Sequence, residues 1–253
     1  MLSKSQISFL KSLQQKKIRK THGVFLAEGI KSITEFIYSD YKVETLYHTP
    51  SFVPKLPNLS QKINFEQTSA TDLAKFSSLT TPQEVIALIK IPQWPALLTQ
   101  NLQQGFSIVL DGIQDPGNLG TIIRTADWFG IKNIICSEDT VDVYNPKVVQ
   151  ATMGSLSRIR VHYTDLNDLL KTTQLPIFGA LLNGQNIYNT NFGSHGLIIM
   201  GNEGNGIRPE IAALIQQPVT IPLLGKAESL NVAIATAIFC SEVSRGQYVN
   251  KTI

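Results

Sequence analysis

The chain of 253 residues has few cysteines, few charged residues and no long apolar run. Its two cysteines, Cys136 and Cys240, lie in apolar stretches and cannot form a disulfide framework, which favours a reducing cytoplasm. No apolar run reaches membrane-spanning length, and lysines interrupt the apolar residues of the amino terminus, so we expect neither a transmembrane segment nor a signal peptide. Hydrophobic residues at 43% and charged residues at 16% are typical of a globular protein with a sizeable core.

Histidine is also scarce, and the histidines do not form a metal-ligand pattern. The four are scattered along the chain, at His22, His48, His162 and His195. Because metal sites place their ligands at short, regular spacings, we expect no metal site.

Acidic residues are absent from the first twenty residues, which contain six bases. Residues 1–104 carry 12 bases against 7 acids, a net charge of +5, whereas residues 105–253 carry 10 against 12, a net charge of −2. Such a basic run forms either a solvated helix face or a surface for a phosphate backbone. The candidate phosphate-binding residues are Lys16, Lys17, Arg19 and Lys20.

The segment 106–131 predicts a strand, a polar turn and a helix. Residues 106–110 are apolar and rich in β-branched side chains, as in a buried strand. The turn residues Asp115, Pro116, Gly117 and Asn118 follow, and a helix then continues to a stop at Gly130. Asn118 and Arg124 are thus expected at the carboxyl end of a strand, where open α/β sheets bind ligands.

Two later segments repeat this design, and together the three predict one composite pocket. Residues 197–207 are an apolar strand followed by a loop with Gly201 and Glu203. Residues 219–239 pass from apolar residues through a polar loop into an Ala-rich helix that Ser229 and Asn231 are expected to cap. The alternative reading is structural, with turn caps, a surface salt bridge for Arg124, and ordinary core side chains at Ile221, Leu223 and Leu230.

Three motifs in these segments resemble those of a known enzyme class. N-x(5)-R at 118–124, G-N-E-G at 201–204 and S-L-N-V-A at 229–233 are similar, in order and separation, to the motifs of the SpoU (TrmH-like) class of RNA ribose 2′-O-methyltransferases in the SPOUT superfamily. The likeness extends from about Phe106 to Tyr248. A single motif would be weak, but the three together are specific.

The resemblance implies a function and a set of site residues. The function is transfer of a methyl group from S-adenosylmethionine to a ribose 2′-hydroxyl of structured RNA, ribosomal RNA being favoured over transfer RNA. It implies a carboxy-terminal parallel-sheet domain with a deep trefoil knot, and a homodimer formed through that domain. The implied catalytic residues are Asn118, Arg124, Glu203, Ser229 and Asn231. The implied cofactor-binding residues are Gly201, Ile221, Leu223, Leu230 and Asn231.

The first hundred residues alternate between helix and strand patterns, which predicts an α/β domain. The sequence K-x-R-x-x-x-G-x-F-L-x-E-G at 17–29 resembles the start of the small ribosomal-protein-like RNA-binding domain found in the same enzyme class. We therefore predict an RNA substrate-binding domain at 1–95, a linker at 96–105 and a methyltransferase domain at 106–253, all in the α/β class.

Two other classes of function stay open. The glycines of 201–206 also occur in nucleotide-binding oxidoreductases, although G-x-x-G-x-G differs from the usual G-x-G-x-x-G and lies late in the chain. A non-catalytic RNA-binding protein with the same fold is the other possibility. Arg124 itself has two candidate roles, as a general base or as a fixed positive charge that stabilises the forming alkoxide.

Overall fold

The computed structural model describes residues 2–52, 62–95, 97 and 102–249, and the chain forms two compact units. Unit 1 contains Met1–Pro95 and Asp142–Arg158, and unit 2 contains Ala96–Val141 and Ile159–Ile253. Unit 1 thus includes 142–158, which the sequence assigned to the carboxy-terminal domain. The predicted linker at 96–105 lies partly outside the described residues, and the functional domain boundaries stay a prediction.

The elements alternate between helix and strand along most of the chain. In chain order they are α1 (Lys4–Ser12), α2 (Lys16–His22), β1 (Val24–Glu28), α3 (Ile30–Ile37), β2 (Val43–His48), β3 (Asn64–Gln67), α4 (Ala70–Ala74), β4 (Val85–Lys90), β5 (Phe106–Leu110), α5 (Pro116–Trp128), β6 (Asn133–Cys136), α6 (Pro146–Ala151), β7 (Arg160–Tyr163), α7 (Leu166–Thr172), β8 (Ile177–Asn186), β9 (Gly196–Met200), α8 (Pro209–Ala212), β10 (Gln217–Thr220) and α9 (Val232–Val249).

Unit 1 is built on a mixed four-stranded sheet in the order β1-β4-β2-β3. Strand β4 runs antiparallel to β1 and β2, and β3 runs parallel to β2. Helix α1 begins with a capping box in which Ser3 and Gln6 bond each other's main-chain N–H groups. Helix α2 ends at Gly23, whose positive φ of 64° favours glycine. One side of the sheet buries a core that includes Leu10, Leu73 and Phe76.

The segment 142–158 is held in unit 1 by ion pairs and aromatic packing. The buried guanidinium of Arg19 pairs with Asp142, and its Nη1 also donates to the carbonyl oxygens of residues 13 and 14, each at 2.8 Å. The ring of Tyr144 packs on Phe25 with centroids 4.8 Å apart. Arg158 pairs with a carboxylate on α3, that of Glu35.

Unit 2 contains a six-stranded sheet in the order β10-β8-β9-β5-β6-β7, and every pairing in it is parallel. All residues of the central strands β5 and β9 are buried, as expected for a parallel sheet with both faces covered. The predicted α/β fold with a parallel sheet is therefore confirmed. Among the residues described, no helix has the length and apolar character needed to span a membrane.

Helix α5 begins earlier than the sequence pattern suggested. Asp115 is its N-cap and Pro116 its first residue, so Asn118 lies in the first helical turn rather than in the preceding turn. Pro fits this position because its missing N–H would have no helical partner there. Strand β5 has the predicted bounds, and Gly130 follows the helix with a positive φ of 73°.

Candidate active site

The polar segments that follow β5, β9 and β10 meet in unit 2. Strands β5 and β9 are adjacent and parallel, so their carboxyl ends lie at the same edge of the sheet. The first segment leads into α5, where Asp115 Oδ1 accepts a hydrogen bond from the main-chain N of Asn118 at 2.7 Å. The third segment leads into α9, which packs against α5.

Asn118 is the central residue of this meeting point. Its Nδ2 donates to Glu203 Oε1 at 2.5 Å, and its Oδ1 accepts from Asn231 Nδ2 at 2.9 Å. A carboxylate can only accept, so the bond to Glu203 fixes which side of the Asn118 amide carries the donor. Three residues from three separate motifs therefore form one hydrogen-bonded chain.

The hydrogen-bonded chain of Asn231, Asn118 and Glu203 has a defined electrostatic direction. Asn231 Oδ1 accepts from the main-chain N atoms of Ala233 and Ile234, at 2.9 and 3.3 Å, and so caps the amino terminus of α9. The positive end of the α9 dipole polarises the Asn231 amide towards Asn118, and the chain ends on the carboxylate of Glu203. The N-cap of α9 is thus Asn231, and the expectation that Ser229 caps this helix is wrong. Ser229 lies two residues earlier, exposed in the loop.

The loop after β9 depends on glycine at its first residue. A Cβ atom on Gly201 would lie 2.3 Å from the carbonyl carbon of Gly206, so only glycine allows this approach. The loop is closed by paired main-chain hydrogen bonds of 2.9 Å between Asn202 and Gly206. Glu203 lies exposed within it and reaches Asn118.

Arg124 lies on α5, six residues beyond Asn118. This separation corresponds to about 9 Å along the helix axis. The Arg124 side chain is exposed. Arg124 and Asn118 therefore lie on the same helix.

The segment between β10 and α9 contains the predicted cofactor-binding residues Ile221, Leu223, Leu230 and Asn231. Residues 221–231 belong to neither helix nor strand, so their main-chain amides and carbonyls are not engaged in either kind of regular structure. Leu223 and Leu230 are 67% and 48% exposed, and Ile221 is half-buried. Apolar side chains beside main-chain polar groups are common in small-molecule binding sites. The alternative that both leucines are core residues is wrong, because core side chains are buried.

The four basic residues predicted to bind RNA differ in their exposure to solvent. Lys16, Lys17 and Lys20 are exposed on α2. Arg19 is 2% exposed, and its guanidinium is used by Asp142 and two main-chain carbonyls. The prediction that Arg19 binds RNA is therefore wrong, because a buried guanidinium held by Asp142 and two main-chain carbonyls cannot reach a phosphate.

Three further polar residues near the site were not selected from the sequence. Asn202 Nδ2 donates to the carbonyl oxygen of Gly112 at 2.7 Å. Arg208 bonds the buried carboxylate of Asp111, and this hydrogen bond raises the pKa of the Arg208 guanidinium. Asp111 directly follows β5 and Asn202 directly precedes Glu203. Their positions beside the motifs are the sequence feature that could have identified them as site residues.

Similarity to known proteins assigns this parallel sheet and its three converging segments to a class, the S-adenosylmethionine-dependent RNA 2′-O-methyltransferases. The sequence matches the SpoU rRNA Methylase family over residues 105–241, and an MRM3-like substrate binding domain over residues 4–87. The chain belongs to the SpoU rRNA methylase family. The predicted methyltransferase activity on RNA and the predicted cofactor are thereby confirmed.

Individual relatives match along nearly the whole chain. The 23S rRNA (guanosine(2553)-2′-O)-methyltransferase RlmP of Bacillus subtilis (strain 168) is 32% identical over 90% of this chain and 91% of its own length. A solved structure described as an RNA methyltransferase of the TrmH family, from Porphyromonas gingivalis, is 39% identical with a TM-score of 0.87 and covers 97% of this chain and 99% of that one. An AdoMet-bound rRNA methyltransferase from Sinorhizobium meliloti is 27% identical, with a TM-score of 0.84 and 97% of both chains covered.

Proposed function

We propose that this enzyme methylates a ribose 2′-hydroxyl of large-subunit ribosomal RNA, with the reaction centred on Asn118, Arg124, Glu203, Ser229 and Asn231. The observation that carries this assignment of the site is the hydrogen-bonded chain from Glu203 through Asn118 to Asn231. The RNA class is supported by the Bacillus subtilis relative, which is named as a 23S rRNA enzyme and matches over 90% of this chain.

Bound S-adenosylmethionine supplies an electrophilic methyl group on a sulfonium. We place it against Gly201, Ile221, Leu223, Leu230 and Asn231. The protein has to hold the ribose hydroxyl in line with that methyl group, and such positioning supplies much of the acceleration of a bimolecular step. Asn118 and Asn231 hold the polar wall of the site in one orientation. Arg124 offers a positive charge to a phosphate or to the oxygen that loses its proton.

The amino-terminal residues 1–95 are proposed to bind the RNA. Lys16, Lys17 and Lys20 present three exposed positive charges on one short helix, α2. Residues 105–253 have a net charge of −2 and residues 1–104 one of +5, so we assign most of the nonspecific attraction to phosphate to the amino-terminal half. This proposal keeps the predicted division of roles between the two halves, without Arg19.

A trefoil knot and a homodimer are proposed for the methyltransferase part. Strands β9 and β5 are neighbours, and α9 packs against α5. Both helices also present large apolar side chains to solvent, since Trp128 is 82% and Ile234 is 53% exposed. A second copy of the chain would cover them.

The proposed cytoplasmic location rests on the absence of a disulfide framework.

The proposed substrate is tested with RNA from cells that lack this gene. The purified enzyme and radiolabelled S-adenosylmethionine are incubated with separated ribosomal and transfer RNA, and labelled ribose 2′-O-methyl positions are mapped. We expect label at one position of the large-subunit RNA. Label confined to transfer RNA would overturn the substrate class, and no label in either pool would favour the non-catalytic alternative.

A further inference from the structure

The loop that carries Glu203 is bonded at both ends to the residues that directly follow β5. At its start, Asn202 Nδ2 donates to the carbonyl oxygen of Gly112 at 2.7 Å. At its end, the main-chain N of Arg208 donates to Asp111 Oδ2 at 2.8 Å and its Nε to Asp111 Oδ1 at 2.7 Å. Because Asp111 and Gly112 are consecutive, both attachments lie at one place.

Asn202 also determines the shape of the loop. Its Oδ1 accepts from the main-chain N atoms of Gly204 and Asn205, at 2.8 and 3.3 Å. Its own main-chain groups pair with Gly206 in both directions at 2.9 Å. The Asn202 amide therefore has one orientation, with Oδ1 towards the loop and Nδ2 towards β5.

The second attachment is buried. The Asp111 side chain is 0% exposed, and Arg208 Nη2 lies 2.5 Å from its Oδ1. A buried carboxylate without a partner is costly, so Asp111 requires Arg208 to close over it. The end of the loop is thereby fixed relative to the strand that leads to Asn118.

We propose that Asn202 is a positioning residue, which sets the carboxylate of Glu203 against the amide of Asn118 by bonding the loop to Gly112. The Asp111–Arg208 pair is the second attachment of the same device. This inference rests on the proposed role of Glu203 and Asn118 in the reaction. The Glu203 side chain is exposed and has several rotatable bonds, so its placement depends on the main chain beneath it.

The energetic reason is the sensitivity of methyl transfer to alignment. Displacement of a site group by about 1 Å can cost roughly a hundredfold in rate. A loop held only at its end, by the Asp111–Arg208 pair, allows displacements of this size at Glu203. Loss of the Asn202 attachment is therefore expected to act on the chemical step.

The first test compares three single variants in single-turnover reactions with ribosomal RNA from cells lacking the gene, at saturating cofactor. Asn202→Ala is expected to react about a hundredfold more slowly than wild type. Asn202→Asp keeps both acceptor bonds to the loop but cannot donate to Gly112, and it should be similarly slow. The matched control Asn205→Ala, in the same exposed loop, should stay within about twofold of wild type. A wild-type rate for Asn202→Asp overturns the proposal.

The second test asks whether Asn202 acts through Glu203. In a Glu203→Ala background, Asn202→Ala should slow the reaction by less than about twofold further, because the group that it positions is already gone. If the two losses multiply instead, Asn202 acts independently and this inference fails, while the proposed site stands. If Glu203→Ala alone reacts at the wild-type rate, the proposed role of Glu203 fails, and the inference fails with it.

Discussion

The Arg124 side chain is exposed on the surface of α5. Arginine side chains remain charged in proteins, so a role as proton acceptor would require an environment that excludes water. An exposed arginine suits the other role, in which a fixed charge stabilises negative charge on the reacting oxygen. We therefore propose the electrostatic alternative of the two that the sequence left open.

This preference predicts an ordered series of rates at residue 124. Arg124→Ala should be slower than wild type by roughly a hundredfold to a thousandfold, as when one transition-state donor is removed. Arg124→Lys keeps the charge but loses the planar fork, so it should retain an intermediate rate. Single-turnover rates across pH measure both. Equal rates for wild type and Arg124→Ala would remove Arg124 from the mechanism.

Arg19 shows why a charge run alone does not identify a binding surface. The sequence places it between lysines in a basic stretch, which predicted a contact with phosphate. Its partner, Asp142, lies 123 residues away and outside any recognisable motif. No local pattern can show that pairing, because it depends on how segment 142–158 folds. Gly23 and Glu28 of the same motif are also structural, since Gly23 ends α2 and Glu28 binds Ser77 and Ser78.

Removal of one partner from the Arg19–Asp142 pair is expected to be strongly destabilising. Asp142→Asn leaves the buried guanidinium without a countercharge, and such losses amount to about 3–5 kcal/mol of unfolding free energy. Lys20→Ala, on the exposed neighbour, should change it by less than about 0.5 kcal/mol. Urea unfolding of both variants measures the difference. Equal midpoints for the two variants would contradict a structural role for Arg19.

At the scale of elements, the direction of the strands determines where the site forms. Parallel strands end at a common edge, so an apolar strand followed by polar residues, occurring three times, predicted that Asn118, Glu203 and Asn231 lie together. What the pattern could not supply was the spatial order of the strands. Asn202 and Arg208 bond Gly112 and Asp111 because β9 is next to β5 in the sheet. In the sequence, these partners are about ninety residues apart.

The close approach at the end of β9 gives a prediction about the loop. Gly201→Ala would place a methyl group 2.3 Å from the carbonyl carbon of Gly206, so the loop has to open. We expect binding of S-adenosylhomocysteine, measured by calorimetry, to weaken by about tenfold or more. Gly204→Ala is the matched control, because its Cβ would meet only Asn202 Oδ1, at 3.5 Å. Equal affinities for the two variants would exclude the loop from the cofactor site.

At the scale of the whole molecule, charge is divided unequally along the chain. A triple variant with Glu at Lys16, Lys17 and Lys20 should bind ribosomal RNA more weakly and with a smaller dependence on salt. The slope of log binding constant against log salt concentration should decrease in magnitude by up to about 0.7–0.9 for each lost contact. A control with Glu at Lys132, Arg160 and Lys171, which are exposed and lie outside the proposed site, changes the net charge equally. Filter binding over a range of salt concentrations compares them. Equal losses in both variants would show that total charge, and not its location, governs binding.

Point variants are preferable to truncation for this question. Deletion of residues 1–104 would remove Arg19, Phe25 and Glu35, which are the partners of Asp142, Tyr144 and Arg158. The remaining fragment would contain the segment 142–158 without these three partners. A loss of RNA binding in that fragment would therefore combine two effects.

The membership of 142–158 in unit 1 has a consequence for synthesis on the ribosome. Unit 1 includes Met1–Pro95, yet its last segment begins only at Asp142, 142 − 95 = 47 residues later. At roughly 5–20 residues per second, the nascent amino-terminal half waits about 2–9 s for Asp142. During that interval the Arg19 guanidinium has no Asp142 to pair with. The intervening strands β5 and β6 emerge first, so neither unit can be completed before translation of the other has begun.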